Sequence, residues 1–290
     1  MCIKDRYWKE EDLVERLSSW MRVWIGVDVS RNMKVMRFGD NMREVAVTEG
    51  DKVEVQAKLG WQVNTWAVGD LVKVMNEVTE AEIDVLVETY KASYDIATDN
   101  MAAIRYQAKE EIAMRKILTR EGANAFINNF QDLYGMDQLP GLASQNMMAD
   151  GIGYGAEGDW KVSGMTAIMK QMAQGLEGGT LFREDYTYDL EAGKEVSLGA
   201  HMLEVCPSVA AARPRIEVHA LGAFPEHALA AFGSVEKGLG HVAQVGRDAI
   251  GDAEELIGDL VGIHGLGLVE LGEENVLFGK GSADLGAQEI

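Results

Sequence analysis

MKVMRFGDN, residues 33–41, joins a short apolar run to a turn signal. Met33 to Phe38 has the make-up of a buried strand, and Gly39-Asp40-Asn41 supplies the residues that close one. Its flanks set the class. Upstream, residues 10–24 read as an amphipathic helix ending in Trp20, Met21, Val23 and Trp24. Downstream, Val45 and Val47, then Val53 and Val55, alternate as half-buried strands do. Asp70 is placed to cap a helix over Leu71 to Val78, and Thr79 with Glu82 spells a capping box for the next one. There Ile83, Leu86, Val87 and Tyr90 share one face at helical spacing.

Residues 102–119 hold strong helix formers and neither Gly nor Pro, which predicts a helix. Pro140-Gly141 precedes a short helix through Met148. Asp159 caps another that carries Met165, Ile168, Met169 and Met172 on one face, read as core packing. Residues 180–203 read as a β-hairpin, LFREDYTYDL and EVSLGAHML around a turn at Ala192-Gly193-Lys194. Mixed strands and helices make the class α/β or α+β. From about Phe224 the text changes: tryptophan and tyrosine vanish, glycines interrupt every pattern, and an irregular Gly-rich tail is expected.

A chain of 290 residues that is 47% hydrophobic has material for a sizeable core, as one large domain or two smaller ones. A net charge of −20 argues against nucleic acid, whose backbone it would repel. Cys2 and Cys206 form no disulfide framework, so a reducing compartment is expected. The segment MCIKDRYWKEED lacks the apolar region of a signal peptide, and no apolar run is long enough to span a bilayer. A cytoplasmic protein with no membrane partner is the expectation.

The chemistry concentrates in three segments: Glu157 in GYGAEGDWK, Glu184 in FREDYTYD and His201 in LGAHMLEVCP. Two carboxylates and an imidazole suit Mn²⁺, Mg²⁺ or Co²⁺, with zinc possible in principle. Scattered Glu and His residues are more often solvated or hydrogen-bonded groups, and spacing alone favours that reading. The settings favour a site: glycines flank Glu157, aromatics surround Glu184, and His201 ends an apolar strand next to the one bearing Glu184. Gly153 to Gly158 matches GxGxxG literally, but a helix rather than a strand is expected before it, so a dinucleotide site is disfavoured. Its glycines are read as bringing backbone close to the metal site. His219 alternates with Ile216 and Val218 as a structural histidine; His227, His241 and His264 carry no motif; Cys206 is expected to be buried.

RFGDNMREVAVTEGDKVEVQ, NTWAVGDLV, DQLPGLA, GAEGDWK, EDYTY and HMLEVCPS together resemble the L-arabinose isomerase family, over about residues 7–222. The resemblance implies an α/β fold with a central parallel-rich sheet flanked by helices, then the start of a mostly-β part. It implies a homo-oligomer that interconverts L-arabinose and L-ribulose. By position, Glu157 and Glu184 match the glutamates that bind Mn²⁺ and move the proton, and His201 matches a histidine ligand. Met42 and Phe130 match residues lining the sugar pocket.

The resemblance also divides the chain. Residues 1–30 are a linker helix left from a missing N-terminal domain, 31–178 the central domain, 179–223 the hairpin part with metal ligands, and 224–290 the atypical tail. The family's fourth ligand, a histidine in a GGAHHT-like segment, has no counterpart, and Tyr134 and Asp189 stand where the family has histidines. A late start with a shifted reading frame after about codon 223 is the expectation that would explain both ends; the nucleotide sequence tests it. The alternative is a catalytically silent remnant or assembly partner.

Overall fold

The computed structural model describes residues 9, 11–176, 180–182, 185–191, 196–200, 204–210, 213–219, 230–234, 266–271 and 275–280. Its first half reads α1 (Glu11–Arg31), β1 (Lys34–Phe38), α2 (Lys52–Leu59), β2 (Gln62–Trp66), α3 (Val68–Glu77) and α4 (Glu80–Ser93). Then come β3 (Asp95–Ile96), α5 (Met101–Glu121), β4 (Ala125–Asn128), α6 (Gly141–Ala149), β5 (Gly153–Gly155) and α7 (Trp160–Met172). The remaining strands are β6 (Asp185–Asp189), β7 (Val196–Ala200), β8 (Arg215–His219), β9 (Ala230–Ser234), β10 (Leu266–Leu271) and β11 (Asn275–Lys280).

The class is α/β. One sheet has the order β2-β1-β4-β5, and every pair in it is parallel. Alternation along β1 sends its side chains to two cores. Met36 and Phe38 pack with Leu71 of α3, Ile117 of α5 and Met147 of α6. Met33 and Val35 face Val55 and Leu59 of α2 and Trp160 and Ile168 of α7. Helices therefore cover both faces, as a parallel sheet requires. Each fully buried Ile or Phe contributes about 1.5–3 kcal/mol relative to exposure.

The alternating valines are the correction. Ala46–Thr48 form a 3-10 turn preceded by Val45, and Val53 and Val55 lie in α2. Asp51 accepts from the backbone N–H groups of Val53 and Glu54, and Gly60 ends the helix with a left-handed φ of 77°. A two-residue alternation is too short to compete with caps at both ends. Val55 and Leu59 are buried at i, i+4, whereas Val53 is exposed. Asp70 lies in the first turn of α3, where it pairs with Lys73 at 2.9 Å; the cap is Ala67. The helix expected at 10–24 runs on to Arg31, because Gly26 lets it settle against Met172 of α7. Strands β2 and β4 were not foreseen. The Thr79–Glu82 capping box is present, with Ile83, Val87 and Tyr90 buried behind it.

Beyond the central sheet, β6 and β7 form the expected antiparallel hairpin. Its turn residues 192–194 lie outside the described residues. The run RIEVH is a strand, β8, parallel to β3 and antiparallel to β9. Within the tail, β10 and β11 pair with each other antiparallel; His227, His241 and His264 lie outside the described residues. Cys206 is buried as expected, its Sγ 3.3 Å from the Lys170 ammonium and 3.0 Å from the Ser208 hydroxyl.

Candidate active site

In a parallel sheet, ligands bind beyond the carboxyl ends of the strands, where the strand order reverses. Here β1 joins β2 on one side and β4 on the other, so the crevice falls between the loops after β1 and β4. Met42 lies in the first of these loops and Phe130 in the second. Glu157 follows β5 at the same edge. Three residues spread over more than 100 positions of the chain thus share one rim.

Hydrogen bonds stitch the three loops together. The Met42 N–H donates to the Glu157 carbonyl at 2.7 Å. The Asp40 N–H donates to Asp132 Oδ2 at 3.0 Å, and the Arg43 N–H to Gln131 Oε1 at 2.8 Å. The Arg43 guanidinium pairs with Asp132 at 2.8 Å. Burial works to raise the Asp132 pKa, but the Asp40 N–H and the Arg43 guanidinium outweigh it and leave it lowered. A stable charge at Asp132 therefore ties the Phe130 loop to the Met42 loop.

Glu157 has a φ of +56°, in the left-handed region that side chains other than glycine rarely adopt. Such strain persists where surrounding contacts enforce it. The neighbour Gly158, at φ +89°, packs so tightly that an added Cβ would meet Asn41 Cα at 2.3 Å. The Gly158 N–H donates to the Asn128 carbonyl at 3.3 Å. Among the described residues, the Glu157 carboxylate has no hydrogen-bond or ion-pair partner, which leaves its oxygens free for a ligand.

The other glycines of GYGAEG do different work. An added Cβ at Gly153 would meet the Ser163 carbonyl at 2.2 Å, and at Gly155 the Asp159 carbonyl at 2.3 Å. They let α7 lie directly on β5. Gly153 and Gly155 thus serve helix packing, whereas Gly158 packs against Asn41 of the loop after β1. A helix, α6, precedes the motif as expected, and β5 is its first three residues.

Glu184 and His201 lie outside the described residues. The hairpin ladder ends at Asp185 opposite Ala200, the residues next to them in the chain. Among the described residues, no three His, Cys, Asp or Glu side chains form a metal cluster. An uncommitted carboxylate such as that of Glu157 is of a kind that suits a hard or borderline divalent ion. Sequence reasoning missed Arg37, Asp40, Asn41 and Asp132, which build the rim. An arginine inside the apolar run MKVMRF was the signal.

Comparison with known proteins bears on this rim. The L-arabinose isomerase central domain matches residues 34–175, and the L-arabinose isomerase C-terminal domain matches residues 179–231. The L-arabinose isomerase of Thermotoga neapolitana is 52% identical over 217 residues, that of Geobacillus stearothermophilus 51% over 221. Each alignment covers 74% of this chain and 44% of the relative, so the chain spans under half the length of these proteins. Matched in both its sheet domain and its hairpin part, the chain belongs to the L-arabinose isomerase family.

Proposed function

We propose that this chain carries the site of an aldose–ketose isomerase acting on L-arabinose, with Mn²⁺ as its metal. The observation that carries the reading is the meeting of Met42, Phe130 and Glu157 on the carboxyl rim of one parallel sheet. The relatives bear the name L-arabinose isomerase, which supports the substrate. A cytoplasmic homo-oligomer is the assembly the family suggests.

In this reading Glu157, Glu184 and His201 hold the metal. When bound, the ion supplies positive charge beside the sugar carbonyl oxygen. Met42 and Phe130 present apolar and aromatic surface to the sugar and keep bulk water out. One of the two glutamates takes the proton from C2 of the aldose; the electron pair left behind forms the C1–C2 double bond, the C1 carbonyl pair moves to O1, and O1 takes a proton from the other glutamate's carboxyl to give an ene-diol. The first carboxyl then returns its proton to C1 while the 2-hydroxyl gives its proton to the other glutamate, which restores both carboxyls and leaves the ketose. Positioned proton transfer of this kind contributes about 10²–10⁴-fold.

The test is calorimetric titration with Mn²⁺ of the intact chain and of its Glu157→Ala and Glu184→Ala variants, followed by an L-arabinose turnover assay. Binding lost in both variants, with turnover in the parent, supports the reading. Equal binding in all three proteins refutes the ligand assignment. Absence of binding even in the parent selects a catalytically silent family member.

A further inference from the structure

Arg37 is the one residue of β1 whose side chain contradicts its place. It is fully buried on the face that also carries Met33 and Val35. Its Nη2 donates to Asp40 Oδ1 at 2.7 Å and reaches Glu49 Oε2 at 3.4 Å. Its Nε and Nη1 are buried with no hydrogen-bond acceptor. A buried guanidinium with two idle donors is a poor stabiliser: an apolar residue of similar volume is often as good or better there. Its role must then lie in what it fixes.

What it fixes is the β1 loop. Asp40 Oδ1, held by Arg37, also accepts the Asn41 N–H at 3.0 Å. Asn41 is the residue against which Gly158 packs. The next N–H, that of Met42, holds the Glu157 carbonyl at 2.7 Å. Glu49, the other partner, accepts the Trp160 indole N–H through its carbonyl, and Lys161 Nζ reaches the Val47 carbonyl at 2.9 Å. Arg37 therefore grips both ends of the segment 40–49, and that segment embraces residues 157–161 from both sides.

We propose that Arg37 is a positioning residue for Glu157. Acting through Asp40 and the Met42 N–H, it keeps Glu157 in its left-handed backbone conformation and so aims the carboxylate at the metal. The inference rests on the site reading above. Groups that orient a ligand from behind typically carry about 10–100-fold in metal affinity.

The experiment compares Mn²⁺ affinity by calorimetry, the electron paramagnetic resonance spectrum of bound Mn²⁺, and Tm. The proteins are the intact chain, Arg37→Met, Asp40→Ala, Glu157→Ala and the surface control Asp70→Ala. Asp40 is well exposed, so its variant keeps the test open should Arg37→Met fail to fold. The expected result is Mn²⁺ binding about 10–100-fold weaker in Arg37→Met and Asp40→Ala, with an altered spectrum in both and no effect of Asp70→Ala. Parental affinity and spectrum in the folded Arg37 and Asp40 variants, with binding lost in Glu157→Ala, overturn the positioning role and leave the site standing. Parental binding in Glu157→Ala overturns both.

Discussion

The contact between Gly158 and Asn41 can be weighed by one methyl group. In Gly158→Ala the new Cβ would sit 2.3 Å from Asn41 Cα and 2.8 Å from the Asp40 carbonyl oxygen, both backbone atoms. A relaxed carbon–carbon contact is about 3.5–4.0 Å, so the two loops must part by more than an ångström. Separation on that scale breaks the 2.7 Å bond from the Met42 N–H to the Glu157 carbonyl. The left-handed φ costs an alanine about 1–2 kcal/mol. The lost hydrogen bond adds about 1 kcal/mol and the overpacking about 1–3 kcal/mol. Gly175 is the internal control: its φ is +76°, yet an added Cβ meets nothing within 4 Å. Gly175→Ala isolates the backbone penalty alone. At roughly 2–4 °C per kcal/mol, Gly158→Ala should lower Tm by about 6–24 °C and Gly175→Ala by only a few degrees. Differential scanning calorimetry of both variants decides it. Equal shifts would refute the claim that close packing of the two loops fixes the site.

Glu110 predicts a pH dependence. It is fully buried, Gln107 donates to its Oε2 at 2.7 Å, and burial, with the Asp137 charge added, pushes its pKa well above the ordinary 4.5. The folded state then binds a proton that the unfolded state has lost, so stability falls as pH rises from 4.5 towards the folded pKa. Glu110→Gln should remove a slope of up to about 1.4 kcal/mol per pH unit in that window and match the parent below it; denaturant titrations from pH 4 to pH 8 check this. Thr79→Ala deletes the acceptor for the Glu82 N–H and should cost about 1 kcal/mol in urea unfolding, with the m-value unchanged.

The sequence by itself determined the elements with strong local signals. Thr79 and Glu82 wrote their capping box, Asp159 its cap, and residues 102–119 their helix, because caps and helix propensity act within a few residues. Resemblance supplied the family and pointed to Met42, Phe130 and Glu157. Elsewhere short-range pattern misled. Val53 and Val55 alternate like a strand, but Asp51 and Gly60 close a helix around them. Only the tertiary structure decided how the rim is built. Parallel pairing sets the loops after β1, β4 and β5 side by side, although these strands lie far apart in the chain. Gly158 against Asn41 and Asp132 bridging two loops are contacts across such separations. No local propensity encodes them, because their free energy exists only once the sheet has brought the partners together.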